Sequence, residues 1–141
     1  MPLCNICSST ESHILVEKDG FTVYQCQHCG LGFTYPQPES LDEQYNESYF
    51  SLYNKRRSFR LKRADCRLSA IELIKAPGRL LDIGCSLGYF VEAAISRGWN
   101  AEGLEISAYA SEYARKSGLN VKTGCLIPGE YDEAAFDCIT L

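Results

Sequence analysis

A short apolar run that opens into a glycine-bearing loop is the strongest constraint in this sequence. Arg79-Leu80-Leu81-Asp82-Ile83 lies between Gly78 and Gly84, the pattern of a strand covered on both faces. The chain then passes through Gly84-Cys85-Ser86-Leu87-Gly88-Tyr89-Phe90 into a helical stretch from Val91 to Arg97, stopped by Gly98. The alternation continues with a strand over Ala101 to Ile106 and a helix over Ser107 to Lys116, Ser107 serving as cap and Gly118 as terminator. Val121 to Thr123 and Phe136 to Leu141 supply a third and a fourth strand. Strands that alternate with helices of this length predict an α/β, doubly wound parallel sheet.

Upstream of that sheet the pattern is different. Leu61, Ala64, Leu68, Ile71 and Ile74 recur at three- and four-residue steps, which predicts a helix with one apolar face that Pro77-Gly78 ends. Residues 39–77 therefore read as a helical linker and residues 78–141 as the sheet domain. Residues 1–38 are rich in cysteines and turns and close on Tyr35-Pro36-Gln37-Pro38, a natural boundary because proline removes backbone donors and restricts the residue before it.

The chain carries 8 cysteines. Four of them fall as Cys4-x-x-Cys7 and Cys26-x-x-Cys29-Gly30, flanking a strand-like segment, Phe21 to Gln25. Two such pairs on tight turns, brought together by a hairpin, can share one tetrahedral ion, so the spacing predicts a structural Zn2+ held by Cys4, Cys7, Cys26 and Cys29. Reduced, metal-free cysteines and a redox pair are the alternatives; redox pairs normally open a helix. His28 is a spare in this scheme, and Cys66, Cys85, Cys125 and Cys138 show no pairing pattern and suit small core or loop positions.

A formal net charge of -4 and a pI near 5.2 provide no basic excess, so nucleic acid is not the expected partner. The amino terminus lacks a secretory pattern and no apolar run approaches the roughly 20 residues of a membrane span, which gives the expectation of a soluble, cytoplasmic protein without a membrane partner.

The candidate ligand site is the loop after the first sheet strand, the crevice at which open α/β sheets bind ligands. Gly84 and Gly88 permit close backbone approach, and Asp82 sets a carboxylate where a cationic ligand end can lie. A dinucleotide loop would carry a glycine at position 86, where this chain has Ser86, so a dehydrogenase is disfavoured. Glu105, at the end of the second strand, is placed to accept hydrogen bonds from ribose hydroxyls. The candidate cofactor-binding residues are Asp82, Gly84, Cys85, Gly88, Tyr89 and Phe90 in the loop, with Glu105 and Ile106 beside it.

Asp82-x-Gly84-x-x-x-Gly88 with Glu105 resembles the first two motifs of class I S-adenosylmethionine-dependent methyltransferases, and Phe136-Asp137-Cys138-Ile139 resembles their fourth-strand motif. The front end, from Tyr24-x-Cys26-x-x-Cys29-Gly30-Leu31 through Tyr35-Pro36-x-Pro38 to Tyr45 and Tyr49-Phe50, resembles the zinc-ribbon-like segment and linker that precede many bacterial small-molecule and sugar C-methyltransferases. The resemblance implies a Rossmann-like sheet of seven strands and S-adenosylmethionine as cofactor. It further implies Glu105 on the ribose, Gly84 and Gly88 beside the methionine portion, and Gly124-Cys125-Leu126 near adenine. Because the sequence stops at Leu141, within the expected fourth strand, it is expected to be the first half of such a domain. The general base and most acceptor-facing residues would then lie elsewhere, and the unpaired sheet edge would favour self-association.

The expected activity is methyl transfer to a small-molecule acceptor, with a nucleotide-activated sugar as one candidate and no catalytic residue identified. The alternative is a non-catalytic zinc-ribbon binding module with an incomplete α/β remnant. Lys55, Arg56, Arg57, Arg60, Lys62, Arg63 and Arg67 form a basic helix, read first as a solvated face and second as a clamp for an anionic acceptor. Tyr45, Tyr49, Phe50 and Tyr53 read as packing residues.

Overall fold

The computed structural model describes residues 1–37, 45 and 47–141. Pro38 and residues 39–44, where the expected module boundary and the start of the linker fall, lie outside the described residues, as does Asn46. The chain forms two compact units, Met1–Ser40 and Leu41–Leu141.

The first unit is a three-stranded antiparallel sheet in the order β1 (Ser12–Lys18), β2 (Phe21–Cys26), β3 (Gly32–Tyr35). Asp19 and Gly20 both have positive φ, 53° and 83°, which is what a two-residue hairpin turn between right-twisted strands needs. Cys4, Cys26 and Phe33 make its small core. Two turns of like construction flank the hairpin. Cys4 N–H donates to Ser9 while its carbonyl accepts from Ser8, and Cys26 repeats this with Leu31 and Gly30.

The second unit begins with α1 (Glu47–Asn54) and α2 (Arg57–Glu72), so the expected linker helix is broken after Asn54. Leu61, Ala64, Leu68 and Ile71 face the core as their spacing predicts. Ile74 does not: it is 89% exposed, because the Ile71 carbonyl accepts from both Ile74 and Lys75 and the tightened last turn abandons the helical period. The chain then alternates β4 (Arg79–Ile83), α3 (Tyr89–Ser96), β5 (Asn100–Glu105), α4 (Ala108–Lys116), β6 (Val121–Thr123) and β7 (Cys138–Thr140). The strands form one parallel sheet, β6-β5-β4-β7, as the alternation predicts. The last strand is shorter than the expected 136–141, and β5 ends at Glu105, leaving Ile106 just beyond it. Leu80 and Ala101 pack with Leu68, Val91, Ala94 and Ala114, so α2, α3 and α4 share one core on that face. Leu81, Ile83 and Ile139 line a cleft with residues 126–132 and 134–136. Among the described residues no helix is long and apolar enough to cross a membrane.

The end of α2 is tied to the sheet domain by Glu72. Arg97 Nε donates to its Oε1 at 2.9 Å, a second Arg97 nitrogen donates to Oε2, and Trp99 Nε1 donates to Oε1 at 3.1 Å. The Arg97 hydrogen bond, followed by that from Trp99, holds the Glu72 carboxyl down to about 2. A depressed carboxyl contributes its full stabilisation above its unfolded pKa, near ~4.3, and loses it as pH falls toward the folded value. Glu72→Gln is therefore expected to lower the urea midpoint at pH 7 and to flatten the loss of stability between about pH 4.5 and 2. Trp99, the chain's one tryptophan, reports this by fluorescence, and parallel acid limbs in wild type and variant would refute it.

Candidate functional site

The two cysteine turns bring four thiols to one point. The Sγ atoms of Cys4 and Cys29 are 3.5 Å apart, those of Cys7 and Cys26 3.6 Å, and all four lie within 4.8 Å of one another. A tetrahedral ion with thiolate bonds of about 2.3 Å sets its sulfurs about 3.8 Å apart, so the donor set fits such an ion. Backbone amides, that of Cys7 foremost and then that of Ile6, lower the Cys4 thiol to about 6, and those of Cys29 and His28 depress Cys26. The anionic form that a metal requires is thereby favoured at Cys4 and Cys26, whereas burial and the neighbouring thiols, against a backbone hydrogen bond, raise Cys7 to about 12 and raise Cys29. Gly30 takes positive φ as the knuckle demands, and Ser8 occupies the equivalent place at φ 58° without being glycine.

A cavity of about 570 Å³ opens above the carboxyl end of β4, within the size range of small-molecule sites. Asp82, Gly84, Cys85, Tyr89 and Phe90 line it, with Tyr53, Arg60, Arg63 and Arg67 from the helical segment and Thr140 from β7. Asp82 is 7% exposed; Thr140 Oγ1 donates to its Oδ1 at 2.7 Å, leaving Oδ2 available to a ligand. Burial raises its pKa, opposed by the Thr140 bond and by the Arg67 charge. Gly84 has φ 73°, and a Cβ built there meets nothing within 4 Å, so the backbone presents a bare surface. Ser86 Oγ is buried without a hydrogen-bond partner among the described residues. Burial pushes the Cys85 thiol up to about 12, which leaves it neutral, and its sulfur packs over Gly103, where a Cβ would come within 2.5 Å of it.

The remaining sequence candidates sit differently. Glu105 and Gly88 are buried and Ile106 is 48% exposed; none of the three is in the cavity wall. Glu105 Oε2 accepts from Ser86 N at 2.7 Å and Oε1 from Ser107 N at 2.8 Å, which binds the loop after β4 to the end of β5. A carboxylate has about four acceptor positions, so two of them are not used by these bonds. At Gly88 the requirement is packing: φ is 81°, and a Cβ would lie 2.5 Å from Leu119 Cδ1 and 3.1 Å from Ala114 Cβ. Gly124, Cys125 and Leu126 are not part of this cavity, and Leu126 lines the cleft on the other sheet face.

Sequence reasoning missed Tyr53 and Thr140 as wall residues. Tyr53 stacks on Tyr89, 6.1 Å between centroids, and Tyr89 donates to Asn54 Oδ1. Thr140 was recoverable only through its parallel register opposite Asp82. The basic helix is not a wholly solvated face: Arg57 pairs with Glu92, and Arg60, Arg63 and Arg67 turn to the cavity.

No protein-family model and no curated protein matches the chain. Solved structures do. The plantazolicin methyltransferase BpumL in complex with SAH is similar to it at 20% identity, over 70% of this chain and 44% of that chain, with a TM-score of 0.50. The same protein with a monoazolic desmethylPZN analog and SAH matches at 21% identity, over 70% and 43%, with a TM-score of 0.50. A SAM dependent methyltransferase from Archaeoglobus fulgidus matches at 28% identity over 54% and 34%, with a TM-score of 0.41. The chain spans less than half the length of these proteins. The BpumL matches establish the fold, a Rossmann-like α/β domain.

The two loop glycines are expected to respond differently to substitution. Gly84→Ala adds only backbone strain, about 1 kcal/mol, whereas Gly88→Ala adds overpacking of about 1–3 kcal/mol to the same strain. Chemical denaturation measures both, and equal losses would exclude the packing role of Gly88.

Proposed function

We propose that the chain is the cofactor-binding part of an S-adenosylmethionine-dependent methyltransferase acting on a small molecule, with a structural Zn2+ on Cys4, Cys7, Cys26 and Cys29. The observation that carries this reading is the cavity at the carboxyl end of β4, where a bare Gly84 backbone and the half-satisfied Asp82 carboxylate come together. The fold shared with the SAH-bound BpumL supports it. When bound, the cofactor supplies an electrophilic methyl group on a sulfonium. Asp82 offers its free oxygen to a cationic ligand end, Gly84 and Cys85 set the floor, and Glu105 holds the loop closed while presenting its remaining lone pairs. Tyr89, Phe90 and Tyr53 shield the cavity from water, which favours an in-line displacement whose main demand is alignment.

Titration calorimetry of the chain with S-adenosylhomocysteine is expected to show binding, weakened about tenfold or more by Glu105→Gln, since a charge-assisted acceptor is lost. A folded chain that binds no S-adenosylhomocysteine would overturn the reading. Protein purified without added metal is expected to hold about one zinc per chain by elemental analysis and to lose it in Cys26→Ser. Well under one zinc in the wild type would remove the metal from the proposal.

A further inference from the structure

We propose that Arg60, Arg63 and Arg67 form an oxyanion subsite in the cavity, taking a carboxylate or phosphate group of the bound ligand. The three residues recur at three- and four-residue steps along α2, and all line the cavity that holds Asp82 and Gly84. Several cations of this unit are committed to carboxylates, Arg57 to Glu92, Lys75 to Asp137 and Arg97 to Glu72 among them, whereas Lys55, Arg56 and Lys62 have no ion pair among the described residues and do not line the cavity. Among the described residues, Arg60, Arg63 and Arg67 have no ion pair.

Arg60 carries the argument furthest. Its guanidinium lies 3.1 Å from the centroid of the Tyr53 ring, and its Nε is buried without an acceptor. Stacking fixes the plane of the group and leaves its edge donors free, the arrangement that suits bidentate recognition of an oxyanion. A buried donor with nothing to donate to is costly, and an incoming carboxylate or phosphate oxygen would satisfy it. The charges agree. Three guanidinium groups face one carboxylate, Asp82, and Arg67 already acts on it electrostatically. Such a wall repels a lone sulfonium, so a ligand that also carries an anion is the one it accepts.

The subsite deepens the proposed function and rests on it for the nature of the ligand. Two sources supply the same chemistry: the carboxylate at the amino-acid end of the cofactor, or a phosphate on the acceptor. Titration calorimetry of the full chain with S-adenosylhomocysteine, 5′-methylthioadenosine (which lacks the amino-acid end) and inorganic pyrophosphate separates them, using wild type, Arg60→Gln, Arg60→Lys and Arg63→Gln. Trp99 fluorescence checks that each variant is folded, and Arg60→Lys and Arg63→Gln keep the test open if Arg60→Gln fails to fold. The expected result is a loss of about tenfold or more in Arg60→Gln for an anionic probe, with methylthioadenosine unaffected and partial recovery in Arg60→Lys. Sensitivity to S-adenosylhomocysteine assigns the subsite to the cofactor carboxylate. Sensitivity to pyrophosphate alone assigns it to a phosphorylated acceptor. Arginine-dependent pyrophosphate binding without any S-adenosylhomocysteine binding would sustain the subsite and overturn the methyltransferase reading. Binding of every probe unchanged across the variants, or no binding of either anion by the wild type, would overturn the subsite.

Discussion

Glu105 is 7% exposed, and its two oxygens accept the backbone N–H groups of Ser86 and Ser107. A carboxylate withdrawn from water in this way costs free energy unless it is hydrogen-bonded, and the partners that satisfy it are the loop after β4 and the entrance to α4. One side chain therefore holds both carboxyl-terminal ends of the central strands in a single arrangement. Ser86, at φ 55°, is kept in a conformation that non-glycine residues avoid, and Gly84 is left facing open space. The loop that carries the cavity floor is held by this carboxylate at Ser86 and by the Leu104 carbonyl, which accepts from Gly84 and Cys85.

Around that floor the cavity is electrostatically divided. The sheet contributes one carboxylate, Asp82, and α2 contributes three guanidinium groups. Neither element alone makes a site. The helix would be a solvated basic face, and the loop would be a glycine turn with an acid before it. Their meeting depends on the apolar stripe of Leu61, Ala64, Leu68 and Ile71, which docks α2 on the sheet core, and on the bonds from Arg97 and Trp99 to Glu72 that secure its far end. Packing far from the cavity thus decides which charges enter it.

The sheet was legible in the sequence because apolar runs alternate with helical periods, and the cysteine quartet because its spacing carries its geometry. Asp82, Gly84, Cys85, Tyr89 and Phe90 were legible as a loop and do meet in one wall. Other parts were not. Gly88 was read for ligand approach, yet the space it leaves is taken by Leu119, a neighbour that only the α3–α4 packing reveals. Charge along a helix does not say which residues face inward, so Arg60 and Lys62 look alike in sequence and differ in place. Ile74 kept the period on paper and lost it to a tightened last turn. Thr140 meets Asp82 only through pairing of strands far apart in the chain.

That pairing bears on how the cavity arises. The Thr140 hydroxyl and the Asp82 carboxylate are 58 residues apart in sequence, and β7 docks beside β4 rather than beside the strand that precedes it in the chain. Local contacts form early in folding, and contacts of long sequence separation must wait for the intervening chain to order. The first crossover, β4 to β5 through α3, can assemble from neighbours. The wall that Thr140 contributes cannot, so the cavity takes its described shape only once β7 has docked beside β4.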